Sequence, residues 1–314
     1  MIVTVTPNPS LDRTARLAEL RRGEVLRAEA VRLDPGGKGV NVARALAAAG
    51  TPTVALLPAG GLVGERLADL LAPEGVPVVA VPIAGTTRSN ITLVEADGTT
   101  TKINEPGPEI SPAELATLER RAVELAARAE WLVCCGSLPA GVPDDFYARL
   151  TKLAHDAGTK VAVDTSGAPL AAAIAGGPDL IKPNLDELTE LAGHPLPLLG
   201  DVVAFCRELI AGGVGRVLVS LGARGAVLVE ETETRHALGP LVAVRSTVGA
   251  GDAALAGFLH AGGTGPGALR TAVAYGTAAV TQEGSRMPTP HDVHPDQVRV
   301  LDTDPTLTLS GAAA

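Results

Sequence analysis

Residues 245–252 read R-S-T-V-G-A-G-D, a single carboxylate set behind two glycines that bracket an alanine. The apolar run Leu241–Val244 just before the glycines is strand-like, and Leu255, Phe258 and Leu259 after them recur at helical spacing. The pattern predicts a strand, a tight turn and a helix. Gly249 and Gly251 allow the backbone to turn sharply and to approach a ligand closely. The first N–H groups of the helix then point at the ligand, and the helix dipole favours an anion there. Asp252 would repel that anion unless it stands beside a transferring phosphoryl group and takes a proton from the attacking hydroxyl. Two other readings compete. Aspartate is a good residue near a helix start for structural reasons alone. Gly249-x-Gly251-x-x-Ala254 also fits the loose dinucleotide pattern, but Thr271–Thr281 offers no acidic ribose ligand and reads as helix.

Asp34-Pro35-Gly36-Gly37-Lys38-Gly39-Val40-Asn41 is a second glycine-rich segment, followed by an alanine-rich helix that Gly50 closes. A P-loop needs Ser or Thr after its lysine to hold magnesium, and here Gly39 follows Lys38. The loop still offers N–H groups to an oxygen-rich ligand, and Lys38 adds a point charge. Asn8-Pro9-Ser10-Leu11-Asp12 follows the β-branched strand Ile2–Thr6, where a central strand emits a ligand-binding loop; Asp12 could equally cap its own turn. Asn184-x-x-Glu187 has the spacing either to steer magnesium through water or to cap a helix.

These residues need a frame. From Pro112 onward helical and strand patterns alternate, and strand ends at Ser137, Asp164, Lys182, Ser220 and Gly249 fall on one edge of a parallel sheet. Thr87–Glu95 and Thr99–Glu105 flank Asp97-Gly98 and predict a hairpin, with Arg88 and Asn104 near its base. The hairpin interrupts the βα series and is assigned, with residues 12–33, to a small β lid on a single α/β domain of residues 1–314.

A net charge of −9 and 2% aromatic residues argue against a nucleic-acid partner, while leaving room for a small anionic substrate held by local cations. Cys134, Cys135 and Cys206 form no C-x-x-C, and the adjacent pair is poorly placed to bridge; buried free thiols in a reducing compartment are expected. No apolar run approaches the roughly 20 residues of a membrane span. No basic leader precedes Pro9, and the expected location is cytoplasmic, away from any membrane. His291-x-x-His294 reads as a solvated pair rather than a metal site, and the tail after Leu309 as a frayed end.

In order along the chain, G-G-K-G-V-N-V-A-R, K-P-N-L-D-E-L, S-L-G-A-R-G-A and S-T-V-G-A-G-D together resemble the signatures of the ribokinase-like (PfkB) carbohydrate kinases over almost the full length. T-P-N-P-S-L-D and G-S-L-P-A-G-V look like the branch of that family acting on sugar phosphates. The resemblance implies a ribokinase-like three-layer α/β fold with a mostly parallel central sheet and a small β-sheet lid inserted from about 12–33 and 87–105. It implies MgATP-dependent phosphorylation of fructose 1-phosphate at C6, giving fructose 1,6-bisphosphate and ADP. The alternatives are the same chemistry on tagatose 6-phosphate or fructose 6-phosphate, and a non-catalytic sugar-phosphate-binding regulator. Under this resemblance Asp252 is the base, and the backbone of Gly249, Ala250 and Gly251 is the anion hole. Asp12, Gly36, Gly37, Lys38 and Asn41 hold the sugar; Arg88, with Lys38, Arg27 and Ser137, holds its existing phosphate. Lys182, Asn184 and Glu187 serve ATP and Mg2+, Glu187 through water, while Ser220, Gly222 and Gly225 border the nucleotide. A homodimer through the lid is also implied. The chain departs from the D-T-T of the ribokinases at Ser246-Thr247-Val248, and carries Glu24 and Val25 where related kinases can have a lysine.

Overall fold

Alternate residues of the first strand, β1 (Ile2–Val5), enter different apolar clusters, Val3 and Val5 one and Ile2 the other. Such two-sided burial is the mark of a parallel sheet covered by helices on both faces. A computed structural model, which describes residues 1–309, has this arrangement. The frayed tail expected after Leu309 lies outside the described residues.

From β1 the chain enters a small sheet as β2 (Ser10–Arg16) and β3 (Ala30–Gly36), then returns through α1 (Lys38–Ala48), β4 (Thr53–Ala59), α2 (Gly61–Leu71) and β5 (Val78–Pro82). It leaves once more for β6 (Arg88–Val94) and β7 (Thr100–Ile103). Regular alternation follows: α3 (Pro112–Ala126), β8 (Trp131–Cys135), α4 (Phe146–Asp156), β9 (Lys160–Asp164), α5 (Gly167–Ile174) and β10 (Leu180–Ile181). Next come α6 (Leu185–Ala192), α7 (Leu199–Ala211), β11 (Val217–Ser220), β12 (Ala226–Val229) and β13 (Thr234–Leu238). The last elements are α8 (Ala250–His260), α9 (Gly265–Val280) and β14 (Arg299–Leu301).

The large sheet has the order β14-β13-β12-β11-β10-β9-β8-β1-β4-β5. It is parallel from β5 to β11 and antiparallel over its last three strands. Helices α1, α8 and α9 bury their apolar residues against one face, with α2 beside them, and α3–α7 cover the other. The layered α/β fold expected from the sequence is therefore present. Local chemistry sets several boundaries; α3, for example, starts at a capping box between Ser111 and Glu114 with Pro112 in its first turn.

The small sheet has the order β3-β2-β6-β7, with β2 and β6 parallel and the outer pairs antiparallel. Its strands reach further toward the large sheet than residues 12–33 would, starting at Ser10 and ending at Gly36. Register places Ser10 opposite Arg88 and Asp12 opposite Asn90.

One expected strand is absent. Leu241–Val244 forms no ladder, and Leu241 and Val244 are exposed. The strand lies upstream, as β13, and stops before Gly239-Pro240, where proline has no N–H to continue the ladder. Gly249 accordingly does not end a strand; it is the N-cap of α8, reached through an irregular connection.

Candidate active site

The order of strands reverses at β1: the chain runs out to β4 and β5 on one side, and to β8 and beyond on the other. Ligands bind outside the carboxyl ends of strands at such a switch point. Asp164 ends the apolar run of β9, level with Cys135 on β8, and Lys182 follows β10. Asp164 is wholly buried, its Oδ1 2.8 Å from Lys38 Nζ and its Oδ2 3.0 Å from Lys182 Nζ. Burial alone would raise the Asp164 carboxyl, but Lys182 and Lys38 hold it below the ordinary carboxylate range. Burial works against the Lys38 cation too; Asp164 and Glu187, the latter 3.4 Å away, hold that lysine above its usual value. The first turn of α1 is thereby tied to β9 and to α6.

Asp252 lies in the first turn of α8, 7% exposed. Its Oδ2 accepts a 2.8 Å hydrogen bond from Asn41 Nδ2 on α1. Burial pushes the carboxyl up to about 6, and Asp164 adds to this; the bond from Asn41 and the charges of Lys38 and Lys182 pull downward. At neutral pH the group is mostly ionised, with its pKa close to the working range of a general base. Gly249 has φ 77° and no side-chain cap covers the helix start. A Cβ there would come within 2.6 Å of Met287 Cε, so both conformation and space require glycine. At Gly251 a Cβ would sit 3.2 Å from Lys182 Nζ, which places that ammonium over the amino end of α8. The Asp252 carboxylate, helix amides and two lysines therefore share one corner.

The small sheet supplies the other wall. Asp12 Oδ1 accepts from Ser10 Oγ at 2.7 Å and from Asn90 Nδ2 at 3.0 Å. Any Cβ on Gly36 would collide with the Asp12 carboxyl. Gly37 has φ 112°, and a Cβ on Gly39 would overlap Thr6 Oγ1, so the loop lies against the end of β1. Arg88 donates to Asn8 O at 3.0 Å and to Glu105 O at 2.8 Å, and Asn8 Nδ2 donates to Ser137 Oγ at 3.2 Å. Burial lowers the Arg88 guanidinium from its ordinary value, opposed by Asp12 and Glu105. Arg88 Nε and Asn90 Oδ1 are buried without partners, as expected of groups that meet a polar ligand.

Arg27 does not join this wall. It is exposed in the connection beyond Arg16 and Ala30, the end of the β2–β3 ladder remote from Asp12. Arg16 stands four steps along the strand from Asp12, about 13 Å at the usual rise. Asn104 is likewise exposed.

Across from Lys38, Asn184 and Glu187 make a reciprocal capping box at the start of α6, at 2.7 and 2.9 Å. The cap occupies Glu187 Oε2 and leaves Oε1 facing Lys38. Among the described residues no group of three or more His, Cys, Asp or Glu is arranged to hold a metal. That donor set still fits magnesium, which keeps several waters and takes its remaining oxygens from substrate phosphates and one or two carboxylates. Ser220, the last residue of β11, pairs with Asn184 beyond β10, and Gly222 and Gly225 bend the following turn with positive φ. A Cβ on Gly225 would overlap Ala237 O. Cys134, Cys135 and Cys206 are buried and unbridged.

Two residues of the site escaped the sequence reading as site residues: Asp164 and Asn90. For Asp164 a signal existed, a lone acid closing the apolar strand V-A-V. Asn90 carries none, since its place beside Asp12 depends on the neighbours that folding brings.

A carboxylate poised to deprotonate a hydroxyl, beside lysines and helix amides suited to a phosphate, defines a phosphotransferase with an alcohol acceptor. Residues 7–292 match the model of the pfkB family carbohydrate kinases, and the chain belongs to that family. It is 39% identical over 298 residues to a 1-phosphofructokinase of Rhodobacter capsulatus, covering 92% of this chain and 93% of the relative. It is 38% identical to the ATP-dependent 6-phosphofructokinase isozyme 2 of Escherichia coli K12, covering 91% and 94%. The crystal structure of Escherichia coli phosphofructokinase-2 in complex with potassium superposes with a TM-score of 0.88, at 37% identity, covering 93% of this chain and 96% of that one.

Proposed function

We propose that the chain transfers the γ-phosphoryl group of MgATP to the C6 hydroxyl of fructose 1-phosphate, giving fructose 1,6-bisphosphate and ADP. The observation that carries this reading is the corner where Asp252, held by Asn41, meets the amino end of α8, Lys182 and Lys38. Curated relatives named 1-phosphofructokinase at 34–41% identity support fructose 1-phosphate as acceptor. Asp252 takes the C6 hydroxyl proton as that oxygen bonds to the γ-phosphorus and the bridging oxygen leaves with ADP. The amides of Gly249–Gly251 and the Lys38 and Lys182 ammoniums meet the charge on the transferring group. Asp12, Gly36, Gly37 and Asn41 hold the sugar, with Arg88 and Ser137 at its existing phosphate. Lys182, Asn184 and Glu187 face the nucleotide phosphates and the hydrated magnesium, which screens their charge, and Ser220, Gly222 and Gly225 border the nucleotide.

Coupled ADP release with fructose 1-phosphate, fructose 6-phosphate and tagatose 6-phosphate in competition tests the acceptor. The highest kcat/KM is expected for fructose 1-phosphate; preference for either of the others overturns that choice, and no turnover with any overturns the kinase reading. Arg88→Ala is expected to raise KM for the sugar phosphate about tenfold or more, with KM for ATP little changed, consistent with loss of a charge-assisted contact. Equal effects on both would remove Arg88 from the phosphate.

The small sheet acts as the lid and as the contact between two copies of the chain. Its rows Leu33, Arg13, Ile91, Ile103 and Val31, Ala15, Leu93, Thr101 lie on the face opposite Asp12 and Asn90, and Val31, Leu33 and Ile103 are exposed there. Sedimentation as a monomer would refute this. A cytoplasmic location goes with the three unbridged cysteines and with the absence, among the described residues, of any helix long and apolar enough to cross a membrane.

A further inference from the structure

Arg44 is a charged residue only 4% exposed, standing on α1 one turn beyond Asn41. Its Nε and Nη2 make a two-pronged pair with Glu74 at 2.7 and 2.9 Å. The remaining nitrogen, Nη1, faces three oxygens: Ser285 O at 3.0 Å, Pro35 O at 3.2 Å and Asn41 Oδ1 at 3.4 Å. A guanidinium only donates, so the Asn41 atom turned toward it must be the carbonyl oxygen. The amide nitrogen then points the other way, at Asp252. Without Arg44 only the charge on Asp252 itself would select the amide nitrogen, and a protonated Asp252 could meet either end of the amide. Lysine cannot substitute, because a single ammonium cannot serve Glu74 and Asn41 from one planar fork.

We infer that Arg44 is a positioning residue for the phosphoryl-transfer base: it fixes the orientation of the Asn41 amide, so that Asn41 donates to Asp252 and keeps it ionised. The inference rests on the reading of Asp252 as the base. Arg44 also anchors Pro35, directly before Gly36, and Ser285, so the same side chain joins the sugar loop to the base. The charged and titratable groups facing Asp252 from the elements around it are Lys38 on α1, Asp164 on β9, Lys182 after β10 and Cys135 on β8. From α9 the single charged residue, Arg270, is exposed. None of these is changed by replacing Arg44.

The test is the pH profile of kcat/KM for fructose 1-phosphate in Arg44→Met, Arg44→Lys, Asn41→Ala and the double variant Asn41→Ala/Arg44→Met. The acid limb is expected to move up by about one pH unit in each Arg44 variant, the effect of losing a hydrogen bond to a charged group. Turnover should recover on the alkaline side, and KM for ATP should stay near the wild-type value. The substrate phosphate titrates in the same region but contributes equally to every protein compared. In the double variant the limb should move no further than in Asn41→Ala, since Arg44 acts through that amide. Glu74→Gln, which removes the ion pair but leaves Nη1 on Asn41, should lower Tm and leave the limb in place. A limb unmoved in both Arg44 variants, additive shifts in the double variant, or an equal shift in Glu74→Gln overturns the inference. Asp252→Asn, measured alongside, separates the two levels: if it retains turnover the base assignment fails, and if it does not, a stationary limb condemns the role of Arg44 alone.

Discussion

Asp252→Asn is expected to lower kcat by about two to four orders of magnitude, the usual contribution of a general base, while KM for the sugar phosphate changes little. The substitution is close to isosteric, and the new side chain keeps an oxygen for the 2.8 Å bond from Asn41 Nδ2. What it loses is the ability to accept the hydroxyl proton. The same variant should also be more stable than the parent near pH 7.5. The native carboxyl is raised to about 6, against roughly 3.9 in an unfolded chain. A raised acid binds its proton more tightly when folded, so its favourable contribution is complete below about pH 4 and is lost as pH rises through 6. At pH 7.5 the buried charge therefore costs about 3 kcal/mol, which a neutral amide avoids. Urea melts should show the largest gain near pH 7.5 and almost none near pH 4. Wild-type turnover, or no gain in stability, would contradict the assignment.

Asp164→Asn should act in the opposite sense. The carboxylate is fully buried between Lys38 and Lys182, and its removal leaves two cations facing each other with one partner fewer. Breaking a buried pair from one side costs about 3–5 kcal/mol. The native Asp164 carboxyl is depressed, so its contribution is present above the unfolded value of roughly 3.9 and is lost as pH falls through the lower folded value. Parent protein should accordingly lose stability below about pH 4, whereas the variant is weakened already at pH 7. Asp164 also raises Asp252, so the acid limb should shift downward, opposite to the shift expected for the Arg44 variants. A denaturant midpoint equal to the parent's at pH 7 would show that the two lysines do not depend on this carboxylate.

Much of the site was legible because the features that mark it are local. Glycine at 249 answers a backbone requirement, and the chain's own sterics impose it wherever the turn lies. Asn184 and Glu187 show the limit of the same logic: the spacing suits a cap or a metal, and the fold makes the cap without excluding the second use. The expected strand at Leu241–Val244 failed for a related reason. Its apolar composition suits a strand, while the Gly239-Pro240 step just before it already forbids an uninterrupted ladder. Arg27, which the resemblance set at the sugar's phosphate, lies beyond the Arg16–Ala30 end of the β2–β3 ladder, away from Asp12 of the same chain.

By itself, then, the sequence determined the order of strands and helices in most of the chain and the glycine turns, and it marked Asp252 and Lys38 as candidates for chemistry. Each depends on rotamers, backbone sterics or hydrophobic period over a few residues. Only the tertiary structure decided that Asn41 reaches Asp252 across 211 positions, and that Asp164 bridges lysines from two separate elements. It also brought Arg44 Nη1 within 3.4 Å of the Asn41 carbonyl oxygen. Those partnerships follow from which strands become neighbours in the sheet and from how far each loop projects beyond it. Strand order is set by the packing of both helical layers at once, and no short stretch of residues records it.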